Sequence, residues 1–263
     1  MSLEKSEAIL LKAFNWSESS RTVVFFSQDF GRIALIDKGG RSFKSKRGRL
    51  LPFARMEITF YHSEKETRGY IREVELVQAC SLEGEGSLGR LAYASAASEL
   101  LNLILPEDEP QRSLYGYFAS YLAQVERVRK TALPGLFTAF YLRALSQLGY
   151  HPSLAYCVGC GKELGRFSEG GELKFAVERG GLVCEACQKP GEYYIGFSYD
   201  SYQRLLALQT SSLAEAAEIE VGFAEASRFL DTLTKFLASQ TGFKSDLKSL
   251  GFIEKLKNSQ LIG

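Results

Sequence analysis

Hydrophobic and polar residues alternate with a period of two through much of the first eighty residues. Ile33 and Leu35 follow this pattern in one run, and Ile58 and Phe60 follow it in a later one. A period of two is typical of β-strands that bury one face. Five runs are predicted as strands, with polar or glycine-bearing turns between them: 7–14, 21–28, 31–37, 55–62 and 69–79.

Five short strands in about eighty residues fit a small closed barrel. The five-stranded OB-fold, which commonly binds oligonucleotides, is the main interpretation, and an SH3-like barrel is the alternative. In this assignment residues 38–49 lie in the long connection between the third and fourth strands.

After Ser81 the hydrophobic period changes to that of α-helices. Apolar residues recur at helical spacing in five segments: 87–105, 112–130, 134–149, 199–208 and 224–239. Such stripes are the buried faces of helices that pack together. The chain is therefore predicted to be a multi-domain α+β protein. Its predicted parts are an N-terminal OB-fold barrel at 1–80, an α-helical domain at 81–152 and 193–263, and an inserted four-cysteine zinc module at 153–192.

The overall composition is that of an ordinary globular protein. The chain has 263 residues, of which 45% are hydrophobic and 24% are charged. No apolar run approaches the roughly 20 residues of a membrane-spanning helix, and no signal peptide is recognised. A cytoplasmic protein with no membrane contact is expected.

Positive charge is concentrated in one stretch, although the formal net charge is only +1. Residues 38–49, KGGRSFKSKRGR, contain six cations, three glycines and no acid. A local excess of this kind indicates a polyanionic partner. Seven cations are predicted to bind phosphate groups: Arg21, Lys38, Arg41, Lys44, Lys46, Arg47 and Arg49. Phe43 either stacks on an exposed base or fills a hydrophobic site under the loop.

Two CxxC turns stand between the helical segments. Cys157 and Cys160 form the first pair, and Cys184 and Cys187 form the second after a glycine-bearing hairpin sequence. Two such turns bring four thiolates to one ion, which is typical of a zinc site. Four thiolates leave no position for water or substrate, so one structural Zn²⁺ is predicted. Redox dithiols and disulfides are the alternatives, although a cytoplasmic location disfavours disulfides.

No catalytic motif is recognised in the sequence. The chain has only two histidines, His62 and His151, and neither belongs to a nucleophile or metalloprotease motif. A Walker-type phosphate loop is also missing. The sequence therefore favours a binding protein over an enzyme.

The N-terminal sequence EAILLKAFNWSESSRTVVFFSQDFGRIALIDKGGRSFKSKRGRLLPF resembles the RecO family of DNA repair proteins. The resemblance is carried by SESSR before the second strand and by the basic run that ends in L-x-P-F. LGYHPSLAYCVGCGKEL and GFKSDLKSLGFI extend it through the cysteine module towards the C-terminus. It covers essentially the whole chain.

This resemblance implies a bacterial recombination mediator without enzymatic activity. Such a protein binds single- and double-stranded DNA, anneals complementary strands, and with RecR helps to load recombinase onto DNA coated by single-strand-binding protein. The implied partners also include the C-terminal tail of single-strand-binding protein, with RecF as a further candidate, and the implied location is the nucleoid. Some members of the family lack the cysteines, so the zinc is expected to serve as scaffold.

Two other functions remain open. A barrel with a zinc knuckle also suits an RNA-binding accessory factor of translation, and a basic loop also suits an acidic protein surface. The tail-binding site is expected in the helical region. That region combines apolar stripes with cations close by in sequence. The stripes include Tyr115, Phe118, Tyr121 and Phe137, most of which are expected in the core, and the sequence does not select those that line a groove.

Overall fold

The structure is a computed structural model that describes residues 2–15, 20–40, 50–62, 69–84, 86–165, 172–242 and 247–258. The chain divides into two compact units. One runs to Arg127 and includes the end of the last helix, and the other runs from Val128 to Gly251. The division by compactness therefore falls after the second helix, at a different place from the predicted boundary near residue 80.

The N-terminal strands form a closed barrel in the order β1-β2-β3-β5-β4. β3 and β5 are parallel, and the other neighbouring strands are antiparallel. A five-stranded Greek-key barrel is an OB-fold, so the predicted fold is confirmed. Its strands are β1 (Ser2–Asn15), β2 (Arg21–Ser27), β3 (Gly31–Asp37), β4 (Arg55–His62) and β5 (Gly69–Gln78).

The barrel interior is filled by the residues that the period of two selects. Phe25 from β2 and Ile58 and Phe60 from β4 are fully buried there. Ile33 and Leu35 from β3 are almost completely buried in the same cluster. Because side chains alternate between the two faces of a strand, the residues between them point away from this core.

The first strand is longer than its sequence pattern predicts. β1 begins at Ser2 because its first half pairs with β4, while its second half pairs with β2. The register with β2 shifts between Leu10 and Lys12, and a bulge of this kind bends a strand. The opening residues SLEKS carry no regular apolar alternation, so pattern alone does not reveal this half of the strand.

Two helices follow the barrel in the first unit, α1 (Ser87–Ile104) and α2 (Arg112–Arg127). α1 packs against β1 and β2. The Tyr115 ring of α2 meets the Phe26 ring of β2 edge to face, with the ring centroids 5.4 Å apart. Phe26 points out of the barrel and is nevertheless fully buried. Helices therefore cover this part of the outer barrel surface.

The second unit is organised around α3 (Leu133–Gln147), which packs against the next three helices. These are α4 (Tyr199–Thr210), α5 (Leu213–Ala216) and α6 (Phe223–Thr241), and α7 (Lys248–Asn258) begins at the end of the unit. A small antiparallel sheet has the order β7-β6-β8. Its strands are β6 (Leu173–Ala176), β7 (Gly181–Val183) and β8 (Tyr194–Phe197).

The predicted helical segments coincide with α1, α2, α3, α4 and α6 to within a few residues. The predicted hairpin between the cysteine pairs is formed by β6 and β7. Among the helices that the structure describes, none combines the length and hydrophobicity needed to cross a membrane.

Candidate functional site

Backbone hydrogen bonds around Cys157 build the first cysteine turn. The Cys157 N–H donates to the carbonyl oxygen of Lys162 at 2.8 Å. The Gly161 N–H donates to the carbonyl oxygen of Cys157, also at 2.8 Å. These bonds close a tight turn that brings Cys160 back towards Cys157.

The second cysteine pair follows strand β7. Cys184 comes directly after this strand, and one turn of 3-10 helix, Glu185–Cys187, returns Cys187 towards it. The N–H of Val158, inside the first turn, donates to the carbonyl oxygen of Leu182 in β7 at 3.0 Å. The first turn is thus held against the strand that carries the second pair.

The four sulfur atoms form one compact group. All four Sγ atoms lie within 4.8 Å of one another. The Sγ atom of Cys184 is 3.7 Å from that of Cys157 and 3.8 Å from that of Cys160. A tetrahedral ion with metal–sulfur bonds of about 2.3 Å holds its sulfurs about 3.8 Å apart. These separations fit a shared ion and are far longer than the roughly 2.0 Å bond of a disulfide.

Backbone amides favour the anionic form of the Cys157 sulfur. Burial opposes ionisation of this thiol, but the N–H groups of Cys184 and Gly159, each 3.3 Å from Sγ, help to lower its pKa to about 6. Hydrogen bonding with the Cys184 thiol, and then with the Cys160 thiol, raises the pKa of Cys187 to about 12. Neighbouring thiolates repel one another, and a bound cation removes that conflict.

Two further residues shape this group. A Cβ atom at position 159 would lie 2.7 Å from the Cβ atom of Cys187, so glycine permits the close approach of the two turns. Arg179 donates from Nη2 to the carbonyl oxygen of Cys187 at 3.1 Å. It also forms a two-pronged ion pair with Glu192, with both N···O distances at 2.8 Å. Arg179 is not among the residues predicted from the sequence, although it lies in the hairpin between the two cysteine pairs.

The structure therefore brings together the four predicted metal ligands Cys157, Cys160, Cys184 and Cys187, and this group can hold a metal ion. No disulfide joins these four cysteines in this structure. A site closed by four protein sulfurs holds structure and has no open position for catalysis.

Two of the residues predicted to bind DNA are described by the structure. Arg21, at the start of β2, donates from Nε to the carboxylate of Asp37 at 2.9 Å. Lys38 is exposed after the end of β3, with Nζ 3.7 Å from the centroid of the Tyr70 ring. Arg21 therefore joins the ends of two strands, while Lys38 lies over an aromatic ring. The remaining predicted residues lie outside the described residues: Arg41, Phe43, Lys44, Lys46, Arg47 and Arg49.

The aromatic residues singled out on the helices are core residues, as most of them were expected to be. Tyr115, Phe118, Tyr121 and Phe137 are each at most 3% exposed. They form the inner faces of α2 and α3. Amphipathic spacing selects core residues first, and the location of the tail-binding site in the helical region stays a prediction.

Two family models match the chain. The model described as Recombination protein O N terminal matches residues 1–80, which contain the barrel. The model described as Recombination protein O C terminal matches residues 85–250, which contain the helices α1 to α6 and the cysteine group. The N-terminal model ends and the C-terminal model begins shortly after the end of strand β5.

Curated relatives match over nearly the whole chain. The DNA repair protein RecO of Pelobacter propionicus is 32% identical over 265 residues, covering 97% of this chain and 98% of the relative. The protein of the same name from Symbiobacterium thermophilum is 26% identical, with 99% and 100% covered. That of Pelotomaculum thermopropionicum is 29% identical, with 97% and 95% covered.

Proposed function

The chain belongs to the RecO family of DNA repair and recombination proteins, and on this premise we propose that it is a recombination mediator. It binds single- and double-stranded DNA, anneals complementary strands, and with RecR helps to load recombinase onto DNA coated by single-strand-binding protein. The observation that carries this proposal is the match of both family models to a chain that begins with a closed OB barrel. Mediation requires no covalent chemistry, so we propose that the protein is not an enzyme.

The cationic stretch after β3 supports the annealing role. Annealing requires two phosphate backbones to approach each other without either being trapped. Lysine and arginine side chains reduce the repulsion between backbones without reading the bases. Arg21 shares its guanidinium with Asp37, so we expect it to contribute least. The proposed phosphate contacts are Arg21, Lys38, Arg41, Lys44, Lys46, Arg47 and Arg49, with Phe43 as a stacking residue.

We propose that the four-cysteine group holds one Zn²⁺ ion. The thiolate ligand set and the sulfur spacing near 3.8 Å both suit tetrahedral zinc. Cys157, Cys160, Cys184 and Cys187 would be the ligands, and the ion would fasten the first turn to the end of β7. Its role in this proposal is structural.

Family membership alone supports the proposed partners and location. The partners are RecR, the C-terminal tail of single-strand-binding protein, and RecF as a further candidate. Because the acidic tail ends in apolar residues, its site must combine an apolar pocket with nearby cations. The proposed location is the bacterial cytoplasm, in association with the nucleoid.

Strand annealing tests the proposal most directly. Complementary oligonucleotides, bare or coated with single-strand-binding protein, are mixed with the protein and duplex formation is followed by fluorescence. We expect the protein to make annealing faster than it is without protein, for both bare and coated oligonucleotides. The loop variant, with Lys44, Lys46, Arg47 and Arg49 changed to Gln, should lose most of this acceleration. A control variant changes four exposed cations of the second unit to Gln: Lys130, Lys162, Lys189 and Arg228.

Three outcomes would contradict the proposal. Annealing at the uncatalysed rate in the presence of wild-type protein would remove the mediator role. An equal loss in the loop and control variants would show that the cationic stretch has no special part. Tighter binding to RNA than to DNA of equal length would favour the translation-factor alternative.

A further inference from the structure

The outer surface of the barrel carries a row of apolar side chains on neighbouring strands. The strand register pairs Leu3 with Tyr61, Tyr61 with Tyr70, and Tyr70 with Ile36. Tyr61, Tyr70 and Ile36 each lie next to a core residue of their own strand, so their side chains point outward. Leu3 lies on the same face because it pairs with Tyr61. We call Leu3, Tyr61, Tyr70 and Ile36 the outer row. It crosses β1, β4, β5 and β3.

Solvent reaches this row. Leu3 is 47% exposed and Tyr61 is 39% exposed, while Tyr70 and Ile36 are half-buried. Phe26, which also points outward, is instead fully buried beside Tyr115 of α2. Single exposed apolar residues are common on proteins, but contiguous ones mark contact surfaces. The outer row is therefore a candidate contact surface.

Lysine side chains accompany the aromatic rings on this surface. Lys38 places Nζ 3.7 Å from the centroid of the Tyr70 ring. Along the same line of register, Ile36 pairs with Thr22, and Thr22 pairs with Phe14. Phe14 is 45% exposed and has Nζ of Lys12 4.4 Å from its ring centroid. Thr22 is buried, so Phe14 and Lys12 form a second, separate ring–cation pair.

Negative charge limits the ligand to one side of the tyrosines. The next outward pairs along β4 and β5 are Thr59 with Glu73 and Glu57 with Glu75. Lys5 offsets Glu57 by pairing with it at 2.6 Å, whereas Glu73 and Glu75 repel phosphate groups and Lys38 attracts them. A polyanion on the outer row must therefore run past the Lys38 side of Tyr70.

We infer that the outer row is a stacking surface for the unpaired bases of single-stranded DNA, with Tyr61 and Tyr70 as the contacting rings. The inference rests on the proposed function and assigns residues to it. Aromatic rings stack on any base, which suits a protein that must accept every sequence. Neighbouring strands lie about 4.8 Å apart, so the row spans roughly 15 Å, enough for a few bases. Lys38 would contact an adjacent phosphate.

The test compares two ligands that differ only in their bases. One is a thymidine oligomer of about 20 nucleotides, a length that exceeds the site of an OB-fold, and the other is an abasic oligomer of equal length. The variants are Tyr61→Ala and Tyr70→Ala, singly and together, and Tyr61→Phe with Tyr70→Phe. The control is Tyr193→Ala, because Tyr193 is 58% exposed and has Nζ of Lys235 5.7 Å from its ring centroid.

The expected result is a selective loss. Each alanine change should weaken binding of the thymidine oligomer on the order of tenfold, without changing the slope of log affinity against log salt. Binding of the abasic oligomer should stay at the wild-type level. The phenylalanine variants and the Tyr193→Ala control should bind both oligomers as wild type does, because stacking needs the ring and not the hydroxyl group.

Equal losses on both oligomers would overturn the inference, because the tyrosines would then only shape the barrel. Unchanged binding of the thymidine oligomer by the double alanine variant would also overturn it, and would leave the proposed function intact. If the wild-type protein binds neither oligomer, the proposed function and this inference are both wrong. If the double variant does not fold, Tyr61→Ala alone decides the matter.

Discussion

The barrel and the cysteine module reach a defined structure by different means. The barrel has strands of seven to fourteen residues and a closed core that includes Phe25, Ile58 and Phe60. The small sheet beside the cysteines has strands of only three or four residues. Its two cysteine turns meet at four sulfur atoms. The barrel is stabilised by its own apolar core, and we expect the module to depend on a bound ion as well.

This difference separates the proposed DNA binding of the barrel from the proposed metal binding of the module. A barrel that folds on its core can present cations and rings on its surface without help from the metal. A four-thiolate site in the second unit can be lost without removing any proposed DNA contact. We therefore expect changes in the cysteine module to leave DNA binding measurable, and changes on the barrel to leave metal binding measurable.

The largest expected effect comes from removing two metal ligands. Cys157→Ser with Cys160→Ser should abolish stoichiometric zinc and lower the unfolding temperature by about 10 °C or more, because structural zinc sites contribute several kcal/mol. Metal analysis and calorimetry measure both quantities. DNA binding should persist wherever the variant stays in solution, because the proposed contacts belong to residues 1–80 and not to the cysteine module.

Cys80→Ser is the matched control for the cysteine changes. Burial raises the pKa of the Cys80 thiol to about 11, and this residue is not part of the sulfur group. The variant should keep one zinc per chain. A wild-type protein purified without chelator and found to contain no metal would contradict the dependence of the module on an ion.

The two regions also differ in how far their sequences predict them. The spacing of the cysteines defines the sulfur group almost completely, since a CxxC turn determines its own local geometry. The barrel core follows from the period of two. The first half of β1 does not, because its partner β4 lies more than forty residues away and its opening residues lack alternation.

The surface of the barrel is predicted least well. A charge count selects Arg21 as a phosphate contact, but its guanidinium is shared with Asp37, sixteen residues along the chain. The outer row escapes notice because Tyr61 and Tyr70 become neighbours only through the register of β4 and β5. Composition reports charge and hydrophobicity, and it does not report which side chains meet.

The loop variant should show an intermediate effect, which is confined to DNA binding. Log affinity for single strands falls with log salt by about 0.7 per phosphate contact, so losing four cations should flatten the slope by roughly 2–3. Binding at low salt should weaken at least tenfold. Titrations at several salt concentrations measure the slope, and the unfolding temperature should stay near that of wild type.

The control variant distinguishes a local contact from a general effect of charge. With Lys130, Lys162, Lys189 and Arg228 changed to Gln, the protein loses as much charge from the second unit as the loop variant loses from the first. Its slope should remain that of wild type. If the loop variant binds more weakly but keeps an unchanged slope, the cationic stretch does not contact phosphates.

The smallest expected effect concerns the ion pair between Glu7 of β1 and Arg55 of β4. Glu7 accepts from Nε and Nη2 of Arg55 at 2.8 Å, and from the Tyr115 hydroxyl at 2.8 Å. The Arg55 hydrogen bonds outweigh the opposing effect of burial, and the pKa of Glu7 is lowered. A carboxylate with a lowered pKa stabilises the folded state above the pKa of the unfolded chain. This contribution is lost as pH falls through the folded value.

Glu7→Gln should therefore reduce the free energy of unfolding at pH 7 by about 1–2 kcal/mol, because hydrogen bonds to charged groups contribute about 1.5–3 kcal/mol and glutamine keeps part of them. The difference from wild type should shrink as pH falls below about 4.5, because wild type then loses the same carboxylate. Glu57→Gln is the control, since Glu57 pairs with Lys5 at 2.6 Å but on an exposed surface, where ion pairs stabilise little. Denaturant titrations at several pH values give both curves. Equal effects of the two substitutions at pH 7 would show that exposure does not decide which ion pair stabilises the barrel.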